Sequence, residues 1–134
     1  MTTKNKKKSL KSISSLKKTL DKVYSEYIRK KDADDWGMCR CVTCGKQAHW
    51  KDMQNGHFVS RSHLILRWDD RNRHIQDVSC NVFKNGNMVE YAIYMEKTYG
   101  QGIIQKLNQE KQKTFKLERK WLEDKINYYK NLTE

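Results

Sequence analysis

Cys41-Val-Thr-Cys44 and, far along the chain, Asp77-Val-Ser-Cys80 carry the side chains best suited to chemistry in this sequence. Two thiols separated by two residues converge on one ion, and a second such pair farther along lets a tetrahedral zinc clamp two distant loops together. Gly45, directly after the first pair, permits the tight turn whose amides can point at sulfur. The second half is irregular, because Asp77 stands where a further cysteine would complete the set. A carboxylate oxygen binds zinc at about 2.0–2.2 Å, so Asp77 is one candidate for the fourth place. Cys39, one residue away from Cys41, is a rival, with water or a histidine as remaining options. Cysteines crowded at 39, 41 and 44 do not suit a secreted disulfide framework, and a reducing cytoplasm is the expected setting.

The elements that must position this clamp follow from composition and period. The 134 residues are 37% hydrophobic and 33% charged, enough for one domain with a modest core that a metal would help to hold. Lys and Arg number 28 against 16 Asp and Glu, a net charge of +12, which points to a nucleic-acid partner. No apolar run approaches the roughly 20 residues needed to span a bilayer, and no signal peptide is evident, so no membrane partner is expected. Residues 1–8 are lysine-rich and without apolar anchors, predicting a disordered arm whose Lys6, Lys7 and Lys8 lie along a phosphate backbone.

Residues 9–134 form the predicted domain. Its first helix, over 9–35, starts at Ser9 or Ser12 and carries Ile13, Leu16, Leu20, Val23 and Tyr27 at helical spacing. That stripe packs on its own domain or on a second subunit. The core, over 38–100, is irregular to Asn81, with short strands around the metal, and then helical, with Met88, Tyr91 or Ala92, Met95 and Tyr99 on one face and Gly100 as the stop. Residues 101–134 add an apolar turn at Ile103, Ile104 and Leu107 and a last helix with Leu117, Leu122, Trp121, Ile126, Tyr128, Tyr129 and Leu132. Trp36, Trp50 and Trp68 are assigned to the core. The fold class is α+β.

His57 lies in Met53-Gln54-Asn55-Gly56-His57-Phe58-Val59, with Asn72 beyond it and Asn81 fastened to the last cysteine. His, then Asn, then Asn around a zinc clamp resembles the HNH branch of the ββα-metal (His-Me finger) nucleases. The match narrows with Arg67-Trp68-Asp69-Asp70-Arg71-Asn72, His74-Ile75-Gln76, Cys80-Asn81, Gly86-Asn87 and Tyr91, which together look like the NinG/Rap recombination endonucleases of lambdoid phages over roughly residues 12–100. The resemblance implies a zinc-stabilised ββα-metal core with helical flanks, and a structure-selective endonuclease that cuts branched DNA such as Holliday junctions and D-loops in phage recombination. It makes His57 the general base, Asn72 its orienting partner and Asn81 a ligand to a catalytic Mg2+ or Mn2+, beside a structural Zn2+. The residue types suit phosphodiester hydrolysis, since imidazole begins near pKa 6.5 and an amide oxygen can hold a hard cation loosely enough for phosphate to complete its shell.

Two features depart from the family pattern. Asp77 replaces a cysteine, and Gly56 occupies the place where many such nucleases put an acidic ligand. The second cation ligand is then sought at His74, which shares a strand face with Asn72 and Gln76, or at Asp69 and Asp70, with a structural role for His74 as the alternative. Arg61, Arg67, Arg71 and Arg73 could grip phosphates around the scissile bond, or form a solvated loop partly neutralised by Asp69 and Asp70. A two-fold junction requires paired cuts, so a homodimer through the first or last helix is expected. The competing readings are a non-catalytic zinc module that binds nucleic acid and an HNH nicking enzyme on ordinary duplex.

Overall fold

Helix α1 (Ile13–Lys30) begins where Ser12 Oγ accepts the Ser15 N–H at 3.0 Å, and ends with Arg29 and Lys30 in its last turn, where cations meet the negative end of the helix dipole. In the computed structural model, which describes residues 10–133, Leu16, Leu20, Val23, Tyr24 and Ile28 of this helix are buried. They pack against Leu122, Ile126 and Tyr129 of α5 (Arg119–Thr133), with Trp68 completing the cluster. Of the two expectations for the α1 stripe, packing on its own domain is the one found: the stripes of α1 and α5 cover each other. Tyr128 and Leu132, expected in the same stripe, remain exposed. The predicted arm, with Lys6, Lys7 and Lys8, lies outside the described residues.

Between the two helices the chain forms two small antiparallel pairs, which makes this a mixed α+β protein. Strands β1 (Met38–Arg40) and β2 (Gln47–His49) flank the Cys41–Cys44 turn. Strand β3 (Gln54–His57) pairs with β4 (Arg73–Gln76), placing Gly56 opposite His74 and His57 opposite Arg73. A short helix α2 (Leu64–Arg67) lies in the connection. After β4 a π-helical turn, Ser79–Phe83, leads to α3 (Met88–Tyr99) and α4 (Ile103–Glu110). Tyr91 and Met95 of α3 are buried with Leu66, Ile103 and Leu107. Met88, expected on that buried face, is instead exposed and covers Gly86.

Trp68 is core, Trp50 is half-buried, and Trp36 is 80% exposed, so the assignment of Trp36 to the core is corrected. Its turn follows α1, and the indole borders an open hollow. No helix among the described residues is long and apolar enough to cross a membrane.

Candidate metal centre and adjoining cleft

The last residues of β4 bring the clamp together. Val42 N–H donates to Ile75 O at 3.0 Å, and Gln76 Nε2 donates to Thr43 Oγ1 at 3.1 Å, so the strand end is tied to the cysteine turn. Gly45 holds φ +80° and returns its N–H to Cys41 O, a left-handed closure that a β-carbon would strain. Asp77 then arrives beside the thiols: one ligand atom from each of Cys41, Cys44, Asp77 and Cys80 lies within 4.8 Å of the others. Three thiols and a carboxylate are a zinc-type donor set, so the group fits a metal such as zinc.

Cys39 is not part of this group. Its Sγ donates to Ala48 O at 3.4 Å across the β1–β2 pair, and the side chain packs with Met53 and Ile75. The rival for the fourth place is thereby corrected in favour of Asp77. Desolvation of its sulfur, with the Asp77 carboxylate beside it, pushes the Cys44 thiol up to about 12. Asp77 stays below the usual carboxylate range: burial opposes its charge, but hydrogen bonds from Cys44 and the Cys80 N–H outweigh that cost. A cation held there would take the place of the thiol protons.

The same turn fixes Asn81. Its backbone N–H donates to Asp77 O at 2.9 Å, and its Nδ2 donates to Gln54 Oε1 at 2.6 Å, bridging the clamp to the strand that carries His57. Asn85, Gly86 and Asn87 all take positive φ, wrapping the chain back so that the Gly86 N–H reaches Cys80 O. Asn81 also lines a cleft of about 400 Å³ with Arg29, Arg61, Arg73, Asn55 and Asp21. His57 is half-buried, and burial together with the positive charges of Arg73 and Arg61 holds its imidazole below the ordinary value of 6.5. At neutral pH it is therefore a neutral ring next to a cationic cleft.

Other expected site residues occupy different positions. Asn72 is fully buried, and its amide bonds Val59 N–H and O and Leu66 O, so it braces the loop after His57 and not the imidazole itself. His74 is buried between Tyr91 Oη at 2.9 Å and Tyr99 Oη at 2.7 Å, and burial brings its pKa down to about 4. Tyr91 donates its proton to Gly56 O, so it accepts from His74 Nδ1–H, leaving Nε2 to accept from Tyr99. Both ring nitrogens are thus engaged by tyrosine, an arrangement that suits the structural alternative for His74.

Asp69 caps the turn before Asn72 and pairs with Arg71, while Asp70 accepts from Tyr24, so both carboxylates are engaged within the protein. Arg71 also meets Glu110, and Arg67 binds Asp21, so neither guanidinium is free for phosphate. Arg73 donates to Asn55 and to Arg67 O, yet still forms part of the cleft wall. Arg61 is exposed there.

Several contacts of the site carried no local signal in the sequence. Arg29 reaches the cleft from α1, Gln54 anchors Asn81, and Tyr91 connects α3 to the residue before His57. Gly56 has a packing reason: a β-carbon there would lie 1.9 Å from Gln76 Oε1. An acidic residue at position 56 would displace Gln76 and, with it, the bond to Thr43 in the clamp.

The family described as Bacteriophage Lambda NinG protein matches the chain over residues 1–134. Among individual relatives, the ninG protein of Escherichia phage 933W is 31% identical over 93 residues, covering 67% of this chain and 43% of the relative. The ninG proteins of Salmonella phage P22 and Escherichia phage lambda are each 30% identical over 93 residues, covering 67% of this chain and 42% of theirs. The match thus spans less than half the length of these relatives. No solved structure matches the chain.

Proposed function

This chain belongs to the NinG family of bacteriophage proteins, and from that premise we propose that it is a metal-dependent endonuclease that hydrolyses phosphodiesters in branched DNA during phage recombination. The observation that carries the reading is the bridge from the clamp through Asn81 to Gln54, on the strand of His57, beside an arginine-lined cleft. The order of β3, β4, π turn and α3 agrees with a ββα-metal core of the HNH type.

In this mechanism His57, neutral at physiological pH, takes the proton from the attacking water. Arg61, Arg73 and Arg29 bind the phosphate and draw the strand into the cleft. Asn81 would offer its amide oxygen to a divalent cation, since its nitrogen is committed to Gln54. Magnesium or manganese there would offset charge on the reacting phosphate and leaving oxygen. The carboxylate in the cleft wall, Asp21, is held by Arg67 and Trp68, so the remaining ligands would be phosphate and water oxygens. Zinc held by Cys41, Cys44, Asp77 and Cys80 would brace the site and leave the chemistry to His57 and the cleft.

The test uses a labelled four-way junction and a matched linear duplex, with magnesium or with chelator, for wild type and His57→Ala. Metal-dependent cutting of the junction, lost in the variant, is expected. Binding without cleavage would leave a non-catalytic zinc module, and equal cutting of duplex would leave a nicking enzyme. Cleavage should fall as pH drops through the lowered His57 value, and Arg61→Ala should shift that acid limb upward, because one of the charges depressing the pKa is gone. A symmetric junction calls for two copies, and sedimentation with and without junction DNA would detect them.

A further inference from the structure

Trp36 combines features that point to one ligand chemistry. Its indole is the most exposed large apolar side chain among the described residues, at 80%. The turn beneath it is held in place: Asp34 Oδ1 accepts the N–H groups of both Trp36 and Met38 at 2.9 Å, and Gly37, at φ +79°, packs so closely on His49 that a β-carbon would clash with the ring. Trp36 forms one side of a hollow of about 440 Å³ with Lys30, Gly37, His49 and Trp50. Trp50 is itself ringed by cations, with Lys30 Nζ 4.8 Å, Arg29 Cζ 5.2 Å and Lys51 Nζ 5.8 Å from its centroid. Asp34 faces its own turn, and Asp35 adds a negative charge at the rim.

This hollow adjoins the cleavage cleft. Arg29 lines the cleft and donates to Trp50 O, and its neighbour Lys30 lines the hollow, so the end of α1 separates two parts of one basic surface. A bare aromatic face in a hollow that Lys30 also lines suits a nucleobase whose phosphate lies toward the cations around Trp50, and every base offers a π-face for it. Bases inside a duplex are already stacked on one another, so an exposed platform favours strands with unpaired bases.

We propose that Trp36 is a stacking platform for an unpaired base of a DNA strand that continues into the cleft lined by Arg29, Arg61 and Asn81. The proposal deepens the nuclease reading and rests on it for the placement of the cleft. It makes Trp36 a selector of branched or splayed substrates over continuous duplex.

The experiment measures binding in chelator, so that cleavage plays no part. Splayed-arm DNA with 2-aminopurine in one unpaired arm, and a blunt duplex of equal length, are titrated with full-length wild type, Trp36→Phe and Trp36→Ala. Wild type should quench 2-aminopurine, Trp36→Phe should retain most of the quenching, and Trp36→Ala should lose it and bind the splayed DNA about tenfold more weakly, with duplex affinity unchanged. Equal losses on both DNAs, or no change on either, would overturn the proposal. Cleavage of a four-way junction in magnesium is read separately. Trp36-dependent quenching by a protein that never cuts would sink the nuclease reading and keep the platform, whereas cutting with no dependence on Trp36 in either assay would do the reverse.

Discussion

The helical pair and the clamp region hold themselves together in different ways. Between α1 and α5 the core is built of Leu, Ile, Val and Tyr side chains on helices of 18 and 15 residues, a long apolar stripe against a long apolar stripe. Around the clamp the strands are three or four residues long, and the buried cluster is Cys39, Cys41, Cys80, Met53 and Ile75. Short strands with little apolar surface bury too little to offset the entropy of ordering them. The first region rests on the hydrophobic effect. In the second, the group of Cys41, Cys44, Asp77 and Cys80 could hold a metal that would supply what the core lacks, and Asn81 is tied to that group through Asp77 O.

The hardest test of that contrast is to remove the metal. Cys80→Ser, or strong chelation, should abolish stoichiometric metal content and expose amides in β1 to β4 to hydrogen exchange, since structural zinc contributes on the order of 10 kcal/mol in small domains. Protection in α1 and α5 should persist. Equal loss in the two helices would show that the regions are one cooperative unit. Leu20→Ala probes the other side: a fully buried side chain in the helical core should cost about 2–5 kcal/mol by denaturant titration while metal content stays unchanged. Metal loss in that variant would break the comparison from the opposite direction.

His74, on β4 against α3, sharpens it further. Its folded pKa of about 4 lies below the unfolded value near 6.5, so the unfolded chain binds the extra proton first and stability falls as pH drops from about 6.5 toward 4. The contribution is at most about 3 kcal/mol. His74→Gln should therefore flatten the melting temperature against pH in that window, relative to wild type. An unchanged slope would mean that acid acts through other groups, such as His57 and the clamp.

Much of this was readable along the chain. Helix α1 followed from the spacing of Leu16, Leu20 and Val23 and from the Ser12 cap, and the stop of α3 from Gly100, because both signals act within a few residues. The clamp was legible for a similar reason, each half being a tight local spacing. The choice between Asp77 and Cys39 was not, since it turned on the pairing of Cys39 with Ala48. The pairing of Arg67 with Asp21 and of Arg71 with Glu110 was not legible, because those carboxylates are remote in sequence. His74 shared its strand face with Asn72 and Gln76 as alternation requires, but its two tyrosine partners come from α3.

By itself, then, the sequence determined the elements, the zinc-type donors, the basic charge and the resemblance that brought His57 and Asn81 to attention, because periodicity, spacing and composition are properties of short stretches of chain. Tertiary structure alone decided which charges were neutralised, which histidine had both ring nitrogens engaged by tyrosine, and which tryptophan stayed in solvent. Those outcomes depend on partners brought together from distant positions, and burial or a hydrogen bond changes what a side chain can do after its identity is already known.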